Sequence, residues 1–235
     1  CVVTGNAGMV LRFSGAIRWP FMPSFSELNL HPALAQAITA RGYSEALPVQ
    51  AAVVQDQYKD RDLLVSSQTG SGKTLAFGLL LAQGLLPEQA MPPRGQGARP
   101  PVGLVIAPTR ELANQVRTEL AWIFAKTHLR IAAFTGGSDI VRDIKLLRTG
   151  ADLVVGTPGR LVDLLKRECL RLDAVTTAVL DEADEMLDMG FQEDLETLLG
   201  AASTRTRTLM FSATLPADIL SMAARYQKDA LRVDV

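Results

Sequence analysis

An α/β domain, with a parallel sheet covered by helices on both faces, is the fold class that three observations predict. From Leu28 onward, short and continuously apolar runs recur along the chain. Helical patterns separate most of them, and each apolar run ends in small or polar residues. An apolar run without alternation suits a strand buried on both faces, and intervening helices supply the crossovers that parallel strands require.

The elements follow in order. "HPALAQAITARG" is amphipathic and stops at Gly42; "PVQAAVVQDQY" starts a second short helix at Pro48. The strand-like runs are "DLLVSS", "VGLVIAP", "LRIAAFTGG", "ADLVVGTP", "TTAVLDEAD" and "RTLMFSAT". Between them lie the helical patterns "RELANQVRTELAWIFAK", "IVRDIKLLRTG" and "GRLVDLLKR". Pro87 to Pro101 is a loop-like insert rich in Pro and Gly. No repeat or interdomain linker is visible, so residues 22–235 read as one domain. Residues 1–21 lack periodicity and the regions of a signal peptide, and are expected to be a non-native or disordered leading segment.

Bulk properties narrow the function classes. The 235 residues are 48% hydrophobic and 21% charged, with a formal net charge of -1. That excludes a uniformly basic nucleic-acid binder but leaves room for a local basic groove. Two cysteines, Cys1 and Cys169, make neither a disulfide framework nor a metal cluster, and fit a reducing, cytoplasmic setting. The longest apolar stretch, "LAFGLLLAQGLL", is too short for a membrane span.

In a parallel sheet the functional groups gather at the carboxyl ends of the strands. This chain places "SQTGSGKT", "PTREL", "TGG", "TPGR", "DEAD" and "SAT" there. "SQTGSGKT" follows a strand and opens a helix, as a phosphate loop should. Gln68, Thr69, Gly70, Ser71 and Gly72 form the turn, whose backbone N–H groups can surround a phosphate. Lys73 offers a cation to the β- and γ-phosphates, and Thr74 a hydroxyl to Mg²⁺. The strict pattern asks for glycine where Ser67 stands; serine is small enough for the loop to close. In "AVLDEADEML", Asp181 ends an apolar strand and is placed to bind Mg²⁺, with Glu182 beside it to polarise water. Alone, such a cluster is equally an acidic helix start; paired with the phosphate loop it specifies nucleoside-triphosphate binding with hydrolysis.

At "DEAD", Asp181 to Asp184, the chain resembles the first RecA-like domain of the DEAD-box RNA helicases, a P-loop NTPase fold. The resemblance runs from about Phe25 to Val235 and rests on "GYSEALPVQ", "SQTGSGKT", "PTREL", Gly136–Gly137, "TPGR", "DEAD" and "SAT", in the family's order. It implies ATP and Mg²⁺ as ligands, with Lys73, Asp181 and Glu182 catalytic. Gln50 would read the adenine edge, its amide offering both a donor and an acceptor, and Phe25 and Tyr43 would pack on the base. It implies RNA-backbone contacts from Thr109, Arg110, Gly136, Gly137, Thr157 and Arg160. The residues themselves allow a second reading: Thr109 and Thr157 as helix caps, Arg110 and Arg160 in surface ion pairs. Asp184, Ser212 and Thr214 would couple hydrolysis to strand separation.

Departures from the family pattern are Ala46 and Leu47, where Pro and Thr are usual; Leu47 cannot supply a hydroxyl to the phosphate loop. The resemblance also implies a second RecA-like domain, which this sequence does not contain after "SAT". By itself the chain is expected to bind nucleotide weakly and not to unwind RNA. A GTPase is disfavoured because no Asn precedes Lys in an N-K-x-D motif; a noncatalytic scaffold is the other alternative. Trp122 and Phe124 are expected to pack in the core, and Gln115 to pair locally.

Overall fold

The computed structural model describes residues 2–4, 10–13, 22–68, 70–86 and 99–235, with the backbone course alone for 2–4 and 10–13. Thr69 and most of the Pro/Gly-rich insert lie outside the described residues. Among those described, nine strands form a single sheet. They are β1 (Val2–Thr4), β2 (Val10–Phe13), β3 (Leu63–Ser66), β4 (Gly103–Ile106), β5 (Ile131–Phe134), β6 (Leu153–Gly156), β7 (Thr177–Leu180), β8 (Arg207–Ser212) and β9 (Leu231–Asp234). The order across the sheet is β1-β2-β9-β3-β8-β7-β4-β6-β5. From β9 to β5 all seven strands run parallel. β1 and β2 form an antiparallel pair whose second strand adds to β9; the other residues of the leading segment 1–21 lie outside the described residues.

The helices are α1 (Pro32–Ala40), α2 (Pro48–Val53), α3 (Lys73–Leu85), α4 (Arg110–Ile123), α5 (Ile140–Thr149), α6 (Pro158–Lys166), α7 (Ala183–Asp188), α8 (Gln192–Ala201) and α9 (Ala217–Tyr226). Successive strand residues face opposite sides of a sheet, and the two cores divide accordingly. Leu63, Val65, Val105, Val155 and Phe211 pack with residues of α1 to α4, such as Ile38, Val49, Phe77 and Leu120. Leu64, Leu104, Ile106, Val154 and Met210 pack with residues of α6 to α9, such as Leu161, Met186, Leu195 and Ile219. Both faces are therefore apolar, which is why the strand sequences read as continuous hydrophobic runs.

β9 departs from that rule and is absent from the sequence reading. Its "LRVD" alternates: Val233 belongs to the core beneath α1 to α4, while Arg232 and Asp234 point the other way and meet at 2.8 Å. Its partner β3 holds it in register from Leu63↔Leu231 to Ser66↔Asp234.

Opposite the functional rim, β8 begins with a buried arginine. The Arg207 guanidinium donates to the carbonyls of Arg61 at 2.8 Å, Tyr58 at 2.9 Å and Leu80 at 3.4 Å, and to Gln83 Oε1 at 3.2 Å. It ties β8 to the segment before β3 and to the end of α3. Truncation strands several buried acceptors, each costly to leave unpaired. Arg207→Ala is expected to destabilise the domain by about 3 kcal/mol, read as a lower midpoint in thermal denaturation with the fold otherwise unchanged.

Candidate functional site

The phosphate loop joins β3 to α3. Gly72 precedes the helix with φ +85°, and a Cβ there would strike Gln50 Nε2 and come within 2.8 Å of Leu47 Cδ1. Glycine is thus required both by the left-handed backbone and by the close approach of α2. Ser67, at the position where the strict pattern has glycine, is buried and contributes its own closure. Ser71 Oγ donates to the Gln68 carbonyl at 2.7 Å, so the Ser67 hydroxyl donates to Ser71 Oγ, 2.5 Å away.

Lys73, the first residue of α3, is buried at this rim. Its ammonium lies 3.4 Å from the Ser67 carbonyl and 3.6 Å from Glu182 Oε1. Glu182 follows the end of β7 in the left-handed region, φ 54°, a backbone cost of about 1–3 kcal/mol for a residue with a side chain. Asp181, immediately before it, is 2% exposed, and its Oδ1 has no hydrogen-bond partner. Burial drives this carboxyl from 3.8 up to about 7, against the pull of Lys73 and with a further push from Glu182. A hydrogen bond with Glu182 likewise raises the Glu185 carboxyl. The site gathers acids around one lysine and leaves a buried carboxylate oxygen ready for a ligand.

These groups open onto a cavity of about 490 Å³. Its wall includes Lys73, Thr74, Asp181 and Glu182 together with Phe25, Tyr43, Leu47 and Gln50. Gln50 Oε1 accepts the Leu47 N–H at 2.9 Å, and Nε2 donates to the Gly72 carbonyl at 3.2 Å. That pins α2 to the phosphate loop without the hydroxyl that Leu47 lacks. One lone pair and one N–H of the amide are left for a ligand. Phe25 is 6% exposed and packs in the core, whereas Tyr43 is 50% exposed. The sequence reading missed the stripe Leu112, Gln115, Glu119 and Trp122 of α4, which also lines this cavity. Their i, i+3, i+7, i+10 spacing places them beside the buried stripe Ala113, Val116, Leu120 and Ile123. Phe124 is core, as expected; Trp122 is half-buried. A second cavity of about 350 Å³, lined by His31, Val54, Lys59 and Leu79 among others, shares no residue with the phosphate loop or the acidic motif.

β8 lies between β3 and β7, so "SAT" emerges between the phosphate loop and "DEAD". The Ser212 carbonyl accepts the Ser67 N–H at 3.1 Å, and its hydroxyl accepts the Asp184 N–H at 3.3 Å. Thr214 donates to Asp184 Oδ2 from its backbone at 2.8 Å and from its hydroxyl at 2.7 Å. Partial burial works to raise the Asp184 carboxyl, but hydrogen bonds from Thr214, Ser212 and Ala213 together outweigh it and hold the group below the ordinary value.

The remaining motifs meet on the far side of β7. Thr109 Oγ1 caps α4 by accepting the Leu112 N–H at 3.2 Å. Arg110 donates to the Gly136 carbonyl at 3.1 Å, and its guanidinium occupies the space that a Cβ on Gly137 would need. The Gly136 N–H points to Thr157 Oγ1 at 3.4 Å. Arg160 donates to Asp143 Oδ2 at 2.8 Å and to the Ser138 carbonyl at 2.7 Å, and Asp143 is 5% exposed. "PTREL", "TGG" and "TPGR" thus form one hydrogen-bonded assembly, with Ser138 and Asp143 as members that no motif announced.

A phosphate loop on β3, a buried acid on β7 and the reporting strand β8 between them define a RecA-like P-loop nucleotide-binding domain. The DEAD/DEAH box helicase family model matches residues 47–222. The chain is 42% identical over 212 residues to the DEAD-box ATP-dependent RNA helicase CshA of Bacillus subtilis, covering 90% of this chain and 41% of that protein. It is 42% identical over 205 residues to the ATP-dependent RNA helicase CshA of Listeria monocytogenes, covering 87% and 38%. The crystal structure of a DEAD box protein from Methanococcus jannaschii superposes with a TM-score of 0.79 at 36% identity, covering 91% of this chain and 56% of that one. A hypothetical ATP-dependent RNA helicase from Sulfolobus tokodaii gives 0.76 at 30% identity, covering 86% and 56%. The chain belongs to the DEAD/DEAH box helicase family. It spans about two fifths of the length of the curated relatives it matches.

Two outcomes follow from the charges. The folded-state pKa of Asp181 lies above its unfolded value, so its neutral form favours folding at low pH, and that contribution is lost as pH rises through about 7. Asp181→Asn, neutral throughout, is expected to raise the unfolding temperature by a few degrees at pH 8, with the gain vanishing toward pH 4, in scans without nucleotide or metal. Arg160→Ala leaves Asp143 buried without its cation and is expected to cost about 3 kcal/mol. An arginine serving only a solvent-borne phosphate would cost within about 0.5 kcal/mol. Denaturant unfolding of Arg160→Ala, Asp143→Ala and the double variant separates the two.

Proposed function

We propose that this chain is the ATP-binding RecA-like domain of an RNA-dependent ATPase that opens or remodels short RNA duplexes. The observation that carries the reading is the position of Ser212 and Thr214, hydrogen-bonded to the phosphate loop on one side and to Asp184 on the other. ATP enters the cavity with its phosphates at the loop of Gln68 to Thr74 and its base beside Phe25, Tyr43 and Gln50. Lys73 turns from Glu182 to the β- and γ-phosphates, and the Glu182 carboxylate orients the attacking water.

Mg²⁺ fits this donor set. Among the described residues no cluster of three or more His, Cys, Asp or Glu is arranged around a metal. Mg²⁺ asks for less, since it keeps several waters and takes one or two protein ligands beside substrate phosphates. The partnerless Oδ1 of Asp181 and the Thr74 hydroxyl are the groups that would hold it, and the ion would neutralise developing phosphate charge.

RNA lies along the rim of Thr109, Arg110, Gly136, Gly137, Thr157 and Arg160. Contacts of this kind grip phosphates without reading sequence. In this assembly Arg160 acts through Asp143 and Ser138 to hold the glycine loop in place. A second RecA-like domain of the same protein closes over both ligands and brings cationic side chains to the γ-phosphate. Among the described residues no helix is long and apolar enough to cross a membrane. The cytoplasmic placement rests on cysteine usage, two cysteines without a disulfide framework.

Hydrolysis of ATP by this chain, with and without RNA and a separately supplied second domain, tests the reading. Activity is expected only with all three present, and a loss of about a hundredfold or more in Lys73→Ala and Glu182→Gln. Full-rate hydrolysis by the chain alone, without RNA, overturns the domain-closure mechanism.

A further inference from the structure

Trp122 is one of the side chains at the cavity that the function above does not use. It sits on α4, three turns from the rim, and faces the stretch that follows α1. Its ring centroid lies 5.8 Å from that of Tyr43, with the planes tilted by 56°. The Arg41 guanidinium stands 5.2 Å from the Trp122 ring centroid. The indole N–H donates to Glu119 Oε2 at 3.3 Å, one helical turn back, which fixes the ring about its axis. Arg41, Trp122 and Tyr43 therefore form a continuous contact between two elements distant in sequence.

The geometry has a direction. Lys73, Asp181 and Glu182 line the same cavity as Tyr43 and Trp122, and about three helical turns of α4 separate Trp122 from Arg110 at the rim. Tyr43 keeps half of its surface exposed although Trp122 covers part of it. A tyrosine that only packed would bury more, and one free in solvent would not be propped by an indole. Tyr43 also follows Gly42, whose φ of +79° turns the chain out of α1 and aims the ring at the cavity.

Resting on the nucleotide reading, we propose that Trp122 is a positioning residue for the base. It holds the Tyr43 ring so that the open part of the ring packs against a purine whose phosphates occupy the loop at Lys73. The indole itself touches Tyr43 and Arg41, and acts on the ligand through Tyr43. A purine gains more than a pyrimidine, because the larger ring system covers more of the tyrosine. A purely structural role, tethering α1 to α4, would change the binding of all phosphate ligands alike.

The chain contains two tryptophans, Trp19 and Trp122, so Trp19→Phe leaves Trp122 as the sole indole reporter. In that background ATP, ADP, CTP and inorganic tripolyphosphate are titrated, following Trp122 emission and measuring affinity by calorimetry, and the titrations are repeated with Trp122→Ala and Trp122→Phe. ATP and ADP are expected to change the emission, and tripolyphosphate to leave it unaltered. Trp122→Ala is expected to weaken ATP and ADP about two- to tenfold and CTP less, with tripolyphosphate unchanged; Trp122→Phe restores most of the loss. If Trp122→Ala binds ATP as the parent does, the positioning role is overturned while the nucleotide site stands. Equal weakening of ATP and tripolyphosphate overturns it as well, by making Trp122 a support of the fold. Failure of the parent chain to bind either ligand overturns this inference together with the nucleotide reading beneath it.

Discussion

The in-register parallel pairing of β3, β8 and β7 is the constraint from which the site follows. Ser66 lies opposite Ser212, and Leu180 opposite Met210. The phosphate loop therefore leaves its strand level with the end of β8, while the acidic motif leaves two residues lower on the other side. "SAT" emerges between them, close enough for one serine to hold the phosphate loop through its carbonyl and the acidic motif through its hydroxyl. A slip of one residue in either pairing would turn every side chain of the moved strand to the opposite face. It would also part Thr214 from Asp184. Because both faces carry closely packed cores, that register is fixed by burial as well as by hydrogen bonds.

Charge at the rim is arranged in the same spirit. The cations of the motifs are each engaged by another part of the chain: Lys73 with Glu182, Arg160 with Asp143, Arg110 with the Gly136 carbonyl. A ligand that recruits one of them must exchange a contact for a contact, so binding at the rim is tied to movement of the loops these pairs hold. Asp181 is the exception, a buried carboxylate with an oxygen that nothing in the described chain satisfies. Desolvation makes its ionised form costly, and a cation or a donor in the cavity relieves that cost.

Much of this was legible in the chain itself. Continuous apolar runs announced a sheet buried on both faces, and six of the seven parallel strands followed from that signal. The seventh, β9, was hidden because its Arg232 and Asp234 break the run; an alternating strand of four residues looks like the polar end of a chain. The motif residues were legible for a similar reason. Gly72, Lys73, Asp181 and Glu182 are tied to backbone conformations and local chemistry that a short window contains.

What the sequence could not carry is adjacency between distant segments. Nothing in "IVRDIKLLRTG" marks Asp143 as the partner of Arg160, since an acid on a helical pattern reads as a solvated face. Trp122 reads as core because an aromatic side chain in a helical pattern is more often packed inside than held at a ligand; only the packing of α4 against the turn after α1 brings it to the cavity wall. The sequence by itself determined the strands, the loops at their ends and the chemistry each loop holds, because those depend on residues near in the chain. The tertiary structure decided which loops meet, which charges pair and which walls enclose the cavity, because strand order and helix packing join residues that no local pattern relates.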